Sequence, residues 1–532
     1  MKIKKIIFPT LSQEQLIFFV ALWLTIFYNT SMFSHIVDVY PLQRENILYV
    51  ASTFVVHVAV TTLFFALLAT RYTIKPILIC VLLVSSVTAY FMNKYDVVID
   101  ENMIRNAIQT DIDESFDLLS LKLVGYFLFL GVLPSYIVYK TPLQTRDFKS
   151  ALWARIKILL FLIVLAFGTV ALFGKFYASF FREHKILRFY ANPGFWIDSL
   201  RIFVQQSFED KNTKLQVLGV DAKIEDNQTR KIVFMVVGEA ARADHFSLNG
   251  YQKETNPKLH KEDIVNFSQM YSCGTSTAYS VPCMFSIYNR SDYSYKKAKY
   301  TENVLDVLKH TKDVAILWRD NNSDSKGVAT RVEYQDFKTP KNNPICDVEC
   351  RDIGMLEGLD QFIAKHPKKN ILIVLHQMGN HGPAYYKRYT KKFEKFTPVC
   401  NTNQLEECSK ESVANGYDNA LLYSDNFLAA TIDFAKHYTK SATAVLYMSD
   451  HGESLGEHGI YLHGLPYFIA PDAQKHIGSF LWLNERYKQL LDTKKIEAKK
   501  DKELSHDYLF HTLLGLFGVK TKVYDPKLDI VH

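Results

Sequence analysis

Five stretches of this chain contain no Lys, Arg, Asp or Glu: residues 15–37, 46–70, 76–93, 123–139 and 158–174. A helix that crosses a bilayer needs about 20 apolar residues, with a range of about 17–25. All five reach that length. Five in succession leave no polar face of the kind a soluble helix turns toward water, which disfavours buried helices of a soluble protein. The sequence predicts a membrane domain of five helices over residues 1–175. The remainder of the 532-residue chain reads as water-soluble, so the overall 48% hydrophobic content is an average of two unlike halves.

Positive charge sets the expected orientation. Lys2, Lys4 and Lys5 precede the first run. Arg71 and Lys75 separate the second from the third. Lys140, Arg146, Lys149, Arg155 and Lys157 separate the fourth from the fifth. These segments are expected in the cytoplasm. The loop 94–119 carries Asp96, Asp100, Glu101, Asp111, Asp113 and Glu114 against few bases and is expected outside. Five spans then put the C-terminal domain outside the cytoplasm as well. No small-residue cleavage site follows the first run, so it does not read as a removable signal. A net charge of +7 suits a neighbour of anionic lipid. Without a basic stripe interleaved with aromatics it does not indicate nucleic acid.

Cysteine usage agrees with export. Cys80 lies in an apolar run, whereas Cys273, Cys283, Cys346, Cys350, Cys400 and Cys408 all fall in the soluble half. An even number in an exported domain reads as disulfides, and six cysteines allow 15 pairings, among which sequence alone does not choose. Clustering favours Cys273–Cys283, Cys346–Cys350 and Cys400–Cys408. A zinc site built from thiolates is the alternative, which an oxidising compartment disfavours.

Residues 176–213 form a connecting segment. Phe195, Trp196, Leu200, Phe203 and Val204 alternate there with Asp198, Arg201, Gln205 and Gln206. It fits an amphipathic helix lying on the membrane and equally a linker helix packed on the soluble domain.

From residue 214 onward, short β-rich apolar runs alternate with helical stretches, the pattern of an α/β sheet. Four runs read as buried central strands: Lys231–Gly238, Asp313–Trp318, Asn370–Leu375 and Thr443–Met448. A polar cluster follows each: Glu239; Arg319 to Asn322; His376 to His381; Ser449 to Glu453. In open α/β sheets, sites form beyond the carboxyl ends of the strands. Glu239, Asp450 and His451 are oxygen and nitrogen ligands suited to zinc or manganese. The hydroxyl-dense stretch Ser272 to Ser280 precedes a helix-compatible run, where free backbone N–H groups favour phosphate. A metal beside such a hydroxyl would lower its pKa and make it a nucleophile. An ordinary helix cap is the plainer reading, and these residues alone do not say which hydroxyl attacks.

The segments GEAARADHFSLNGY (238–251), SCGTSTAYSVPCMFS (272–286), WRDNNSDSKG (318–327), LHQMGNHGPAYYKRY (375–389) and SDHGESLGEHGIYLHG (449–464) resemble the motifs of the lipid A phosphoethanolamine transferases, a family that includes the mobile colistin-resistance enzymes. The resemblance spans the whole chain. It implies a five-helix membrane domain followed by a periplasmic α/β domain of alkaline-phosphatase/sulfatase type, in the inner membrane of a Gram-negative bacterium. Thr277 matches the family's nucleophile. Glu239, Thr277, Asp450 and His451 match its zinc ligands, positions that manganese also accepts. Asn322, Lys326, His381 and His463 match residues around phosphoethanolamine or a second zinc, and His376 matches a further position. In the outward loop, Asn106, Thr110 and Glu114 match polar lipid contacts. The six soluble-domain cysteines match three local disulfides. Ala240 and Ala241 follow Glu239 where some members carry hydroxyl residues.

The implied reaction takes phosphoethanolamine from phosphatidylethanolamine, holds it on Thr277 and passes it to a phosphate of lipid A. The chain is expected to act as a monomer among inner-membrane lipids, with no nucleic-acid partner. Three rivals remain at this level. A sulfatase-fold hydrolase would need Cys or Ser followed by x-Pro-Ser/Cys-Arg; Ser280-Val281-Pro282-Cys283 comes close, but Met284 replaces the arginine. A scaffold with a dead domain should have lost a ligand, and none is lost. A transferase with the same chemistry could act on a core sugar, a periplasmic glucan or a surface protein.

Overall fold

A computed structural model of the chain describes residues 8–44, 46–110, 112–208, 213–225 and 228–532, without the side chains of 112–114. The lysines at 2, 4 and 5, and the side chains of Asp111, Asp113 and Glu114, lie outside the described residues. The chain forms two compact units: Met1–Glu101 with Leu119–Phe203, and Asn102–Leu118 with Val204–His532.

In the first unit, α3 (Ile47–Leu68), α4 (Ile74–Tyr95), α7 (Leu121–Lys140) and α8 (Phe148–Leu172) are each long and apolar enough to cross a membrane. The first apolar run is not one straight helix. It divides into α1 (Gln13–Tyr28) and α2 (Thr30–Val39), bent by 62°. Asn29 sits at the break. Its side-chain amide donates to the Leu24 and Asn192 carbonyls at 2.9 and 2.7 Å and accepts from the Asn192 amide at 2.8 Å. A polar side chain buried among apolar helices must find such partners, and finding them here interrupts the helix ladder. Ser12 and Gln15 cap the start of α1 reciprocally.

After α8 come α9 (Gly174–Glu183) and α10 (Gly194–Phe208). The sequence left α10 between a surface helix and a helix packed on the soluble domain. Instead, its Trp196 is buried in the same apolar cluster as Leu16, Leu78 and Leu82, and its indole N–H donates to Ser85 Oγ at 3.1 Å. The connecting segment as far as Phe203 belongs to the membrane unit. Two short helices, α5 (Glu101–Gln109) and α6 (Ile112–Asp117), precede α7 and group with the second unit.

The second unit is built on a seven-stranded mixed sheet. Its strands are β1 (Lys231–Gly238), β2 (Ile264–Asn266), β3 (Val314–Asp320), β4 (Glu333–Asp336), β5 (Asn370–His376), β6 (Ala442–Ser449) and β7 (Ser479–Leu483), in the order β2-β7-β6-β1-β5-β3-β4. β7 runs antiparallel to both neighbours; β6, β1, β5, β3 and β4 are parallel. β1 shows why a continuous apolar run becomes a central strand. Val233, Met235 and Val237 enter one core; Ile232, Phe234 and Val236 enter the other. With side chains alternating across the pleat and both faces covered, the six positions between its ends are all apolar. Each such buried side chain contributes about 1.5–3 kcal/mol relative to exposure.

Two helices matter for the site: α11 (Thr277–Met284) and the long α12 (Lys410–Lys436), capped by Ser409. Cys273–Cys283, Cys346–Cys350 and Cys400–Cys408 are bonded, as the clustering favoured.

Candidate active site and metal centre

The four predicted central strands are adjacent and parallel, so the polar clusters that follow them meet at one edge of the sheet. Glu239 follows β1, Asp450 and His451 follow β6, and Thr277 opens α11. All four are buried. Thr277 Oγ1 lies 3.1 Å from Glu239 Oε2 and 3.2 Å from His451 Nε2. One hydroxyl proton thus faces two acceptors.

His451 Nδ1 is 2.8 Å from the Gly452 carbonyl, which can only accept. Nδ1 therefore carries the ring proton of the neutral imidazole, and Nε2 presents a lone pair. Burial lowers the pKa of His451 and favours that neutral form. Nε2 then points its lone pair at carboxylate oxygens: Asp450 Oδ2 at 3.3 Å and Glu239 Oε1 at 3.4 Å. Asp450 Oδ2 is buried and accepts no hydrogen bond from a described residue. Its partner oxygen is engaged by the Ala240 and His451 amides. Two buried carboxylates facing an imidazole lone pair are unfavourable without a cation. The donor set fits a divalent metal of the zinc or manganese class.

His463 joins the cluster. Ligand atoms of Glu239, His451 and His463 all lie within 4.8 Å of one another. Glu453 holds the His463 ring, with Oε2 at 2.7 Å from Nδ1, and Tyr385 donates to Glu453 Oε1 at 2.7 Å. A carboxylate behind a histidine fixes the orientation of its ring. His381 stacks edge-on against His463 with centroids 5.6 Å apart, and burial holds it well below the ordinary histidine pKa.

The other predicted residues divide. Asn322 Nδ2 donates to Glu239 Oε2 at 2.9 Å and to the Gln377 carbonyl at 2.7 Å, so it orients the carboxylate directly. Lys326 is buried rather than solvated. Its Nζ reaches Ser323 Oγ at 2.7 Å and the carbonyls of Ser323 and Gln109 at 3.1 Å. Asn106 and Thr110 lie on and just after α5, where Thr110 Oγ1 donates to the Asn106 carbonyl at 2.7 Å. His376 is fully buried, with Nδ1 2.9 Å from Asp320 Oδ2. Burial acts to raise the Asp320 carboxyl, but His376, Trp318 and the Asp324 amide hold it below the usual range. His376 is thus a pillar of the loop that carries Asn322.

Glu453 and Asp320 stood inside the polar clusters but received no role from sequence; Tyr385 and His376, which pair with them, lie 68 and 56 residues away. Backbone strain also gathers here. Ala240, Lys326 and Leu462 adopt φ of 54°, 49° and 64°. Non-glycine residues in that region cost of order 1–3 kcal/mol and persist where the surroundings demand them. Gly379, at φ 50°, passes so close to Glu239 that a Cβ would lie 3.0 Å from the Glu239 carbonyl oxygen. The sulfatase-type stretch is not assembled as such a nucleophile site: Cys283 is disulfide-bonded, Met284 stands where the arginine would, and Ser280 Oγ accepts from the Gly274 amide.

Comparison with known proteins gives two family matches. Residues 231–519 match the family described as Sulfatase, and residues 57–208 match Phosphoethanolamine transferase EptA/EptB. The chain is 45% identical over 515 residues to the phosphatidylethanolamine transferase Mcr-2 of Escherichia coli, covering 94% of each. It is 38% identical over 544 residues to phosphoethanolamine transferase EptA of Escherichia coli strain K12, covering 98% of this chain and 97% of the relative. The integral membrane protein lipooligosaccharide phosphoethanolamine transferase A of Neisseria meningitidis superposes with a TM-score of 0.95 at 33% identity, covering 98% of this chain and 99% of that one.

Proposed function

The chain belongs to the phosphoethanolamine transferase family, and from that premise we propose that it carries phosphoethanolamine from phosphatidylethanolamine to a phosphate of lipid A on the hydroxyl of Thr277. The observation that carries this reading is the position of Thr277 Oγ1, within 3.2 Å of both Glu239 and His451 at the opening turn of a helix.

Glu239, Thr277, Asp450 and His451 hold the metal, which we take to be zinc; when bound it supplies positive charge that acidifies the hydroxyl and offsets charge on the phosphoryl oxygens. Glu239 Oε2 is the acceptor nearest the Thr277 proton. The threonine oxygen bonds to the donor's phosphorus as the phosphorus–glycerol oxygen bond breaks. We assign protonation of the departing diacylglycerol oxygen to His463, whose orientation Glu453 fixes. A phosphoethanolamine ester of Thr277 results. A phosphate oxygen of lipid A then attacks the same phosphorus and gives up its proton to His463, while the bond to Thr277 breaks and Oγ1 takes back the proton held by Glu239. Asn322 keeps Glu239 in register, and the Lys326 ammonium adds positive charge near the transferred group. Asn106, Thr110 and Glu114 are assigned to the lipid.

The enzyme works in the Gram-negative inner membrane with its catalytic unit in the periplasm. The ethanolamine ammonium offsets lipid A charge and weakens attraction of cationic peptides such as polymyxins. Mass spectrometry of lipid A from cells with and without the chain tests the acceptor. A gain of one phosphoethanolamine is expected. An unmodified lipid A beside a modified core sugar, glucan or surface protein would move the same chemistry to another acceptor.

A further inference from the structure

One buried histidine outside the metal cluster joins the segments that the reaction needs in register. His506 is 1% exposed. Its Nδ1 accepts the Cys273 amide at 3.0 Å, and its Nε2 lies 2.8 Å from the Ser449 carbonyl. Both contacts are made to backbone. Cys273 begins the loop that ends at Thr277, and its disulfide to Cys283 ties that loop to α11. Ser449 ends β6 and directly precedes Asp450 and His451. The Ser449 hydroxyl accepts the Ala241 amide at 2.8 Å and donates to the His451 carbonyl at 2.9 Å, bringing in the segment after Glu239. His506 arrives here because Leu504–Ser505 pairs in parallel with Met270–Tyr271, the residues just before the threonine loop.

The partners dictate the ring's state. A backbone N–H can only donate and a carbonyl can only accept, so the neutral ring with its proton on Nε2 satisfies both. No other aromatic side chain offers an acceptor and a donor across one ring.

We propose that His506 is a positioning residue for the transfer: it sets the distance between Thr277 and the Asp450–His451 pair by bracing the threonine loop against the end of β6. It touches neither substrate nor metal. The inference rests on Thr277 being the nucleophile.

Two variants of the full-length, detergent-solubilised protein test it. His506→Phe keeps the ring shape and loses both hydrogen bonds. His506→Gln offers an amide oxygen and an amide N–H in their place. A displacement of about 1 Å at reacting atoms costs on the order of 10²-fold in rate. His506→Phe is therefore expected to lower kcat by about that factor with the donor KM unchanged, and His506→Gln to recover most of it. Hydrogen exchange gives a readout apart from activity. In the wild type the Cys273 amide should be protected like the amides of β6, and in His506→Phe that protection should vanish. A merely structural histidine would lower Tm and leave kcat of the folded protein alone. Wild-type kcat in His506→Phe overturns the proposal, as does a His506→Gln no better than His506→Phe. Should neither variant fold, an unprotected Cys273 amide in the wild type overturns it alone. The two readings fail differently. If Thr277 is not the nucleophile, the wild type carries no adduct there. If only the bracing is wrong, His506→Phe acquires the Thr277 adduct as fast as the wild type.

Discussion

Glu239, Asp450 and His451 each end a buried strand or follow it directly, and that made them legible as a group. A carboxylate or imidazole just beyond an apolar run has nowhere to go but the sheet edge. Glu239→Ala or His451→Ala is expected to lose bound metal, read by elemental analysis of the purified protein. Full metal content and activity in either variant would contradict the ligand assignment. His506 was not legible. It follows the two-residue strand Leu504–Ser505, too short to show a period, and its partners lie 233 and 57 residues away. Burial lowers its pKa from 6.5 to about 4. Between those values the unfolded chain binds a proton that the folded chain does not. Stability is thus full above pH 6.5 and falls as pH drops toward 4, by about 3 kcal/mol at 1.36 kcal/mol per pH unit. Other buried groups titrate in the same range; Asp425, raised by burial to about 6, acts in the opposite sense. The comparison that isolates His506 is wild type against His506→Gln. In urea unfolding the wild type should lose stability relative to the variant over that window. Parallel curves would show that the folded ring takes up a proton as readily as the unfolded one.

At the scale of elements, the five apolar runs and the four central strands were legible because their signals are local: length without charge, and apolar continuity bounded by polar clusters. The bend between α1 and α2 was not, because Asn29 is one polar residue in a long apolar run and its partner Asn192 is 163 residues away. Nor was the grouping of 102–118 with the catalytic unit. That segment is anchored by Asp117, which accepts from both Lys387 and Arg388, and its Arg105 stacks on Tyr295 with the guanidinium 3.5 Å from the ring centroid. Removing one partner of a buried ion pair costs about 3–5 kcal/mol. Asp117→Ala is therefore expected to speed tryptic cleavage after Arg105 by at least about tenfold. An unchanged cleavage rate would mean that the segment is held by its other contacts. The disulfides close short loops, for which the chain-entropy account gives about 2–3 kcal/mol each. Non-reducing peptide maps should contain the three local pairs, and a crossed link such as Cys273–Cys400 would contradict them.

For the whole molecule, charge between the spans predicts a cytoplasmic N-terminus, and the catalytic unit lies in the periplasm. Alkaline phosphatase fused after residue 532 should be active there and a cytosolic fluorescent reporter dark; the reverse pattern contradicts five spans. The orientation has a chemical purpose. Donor and acceptor phosphates belong to two bulky lipids, which need not share one crevice if the group waits on the protein between visits. Such a relay predicts ping-pong kinetics. Thr277→Ala should abolish transfer while the three other ligands keep most of the metal, and Thr277→Ser should retain a fraction because the hydroxyl remains. The covalent relay is tested most directly without any acceptor. The protein is incubated with phosphatidylethanolamine, digested, and the peptide containing residues 272–286 is weighed and fragmented. A mass gain of one phosphoethanolamine located on Thr277 is the predicted result; an adduct on Thr275 or Ser276, or donor turnover by Thr277→Ala at the wild-type rate, would contradict it.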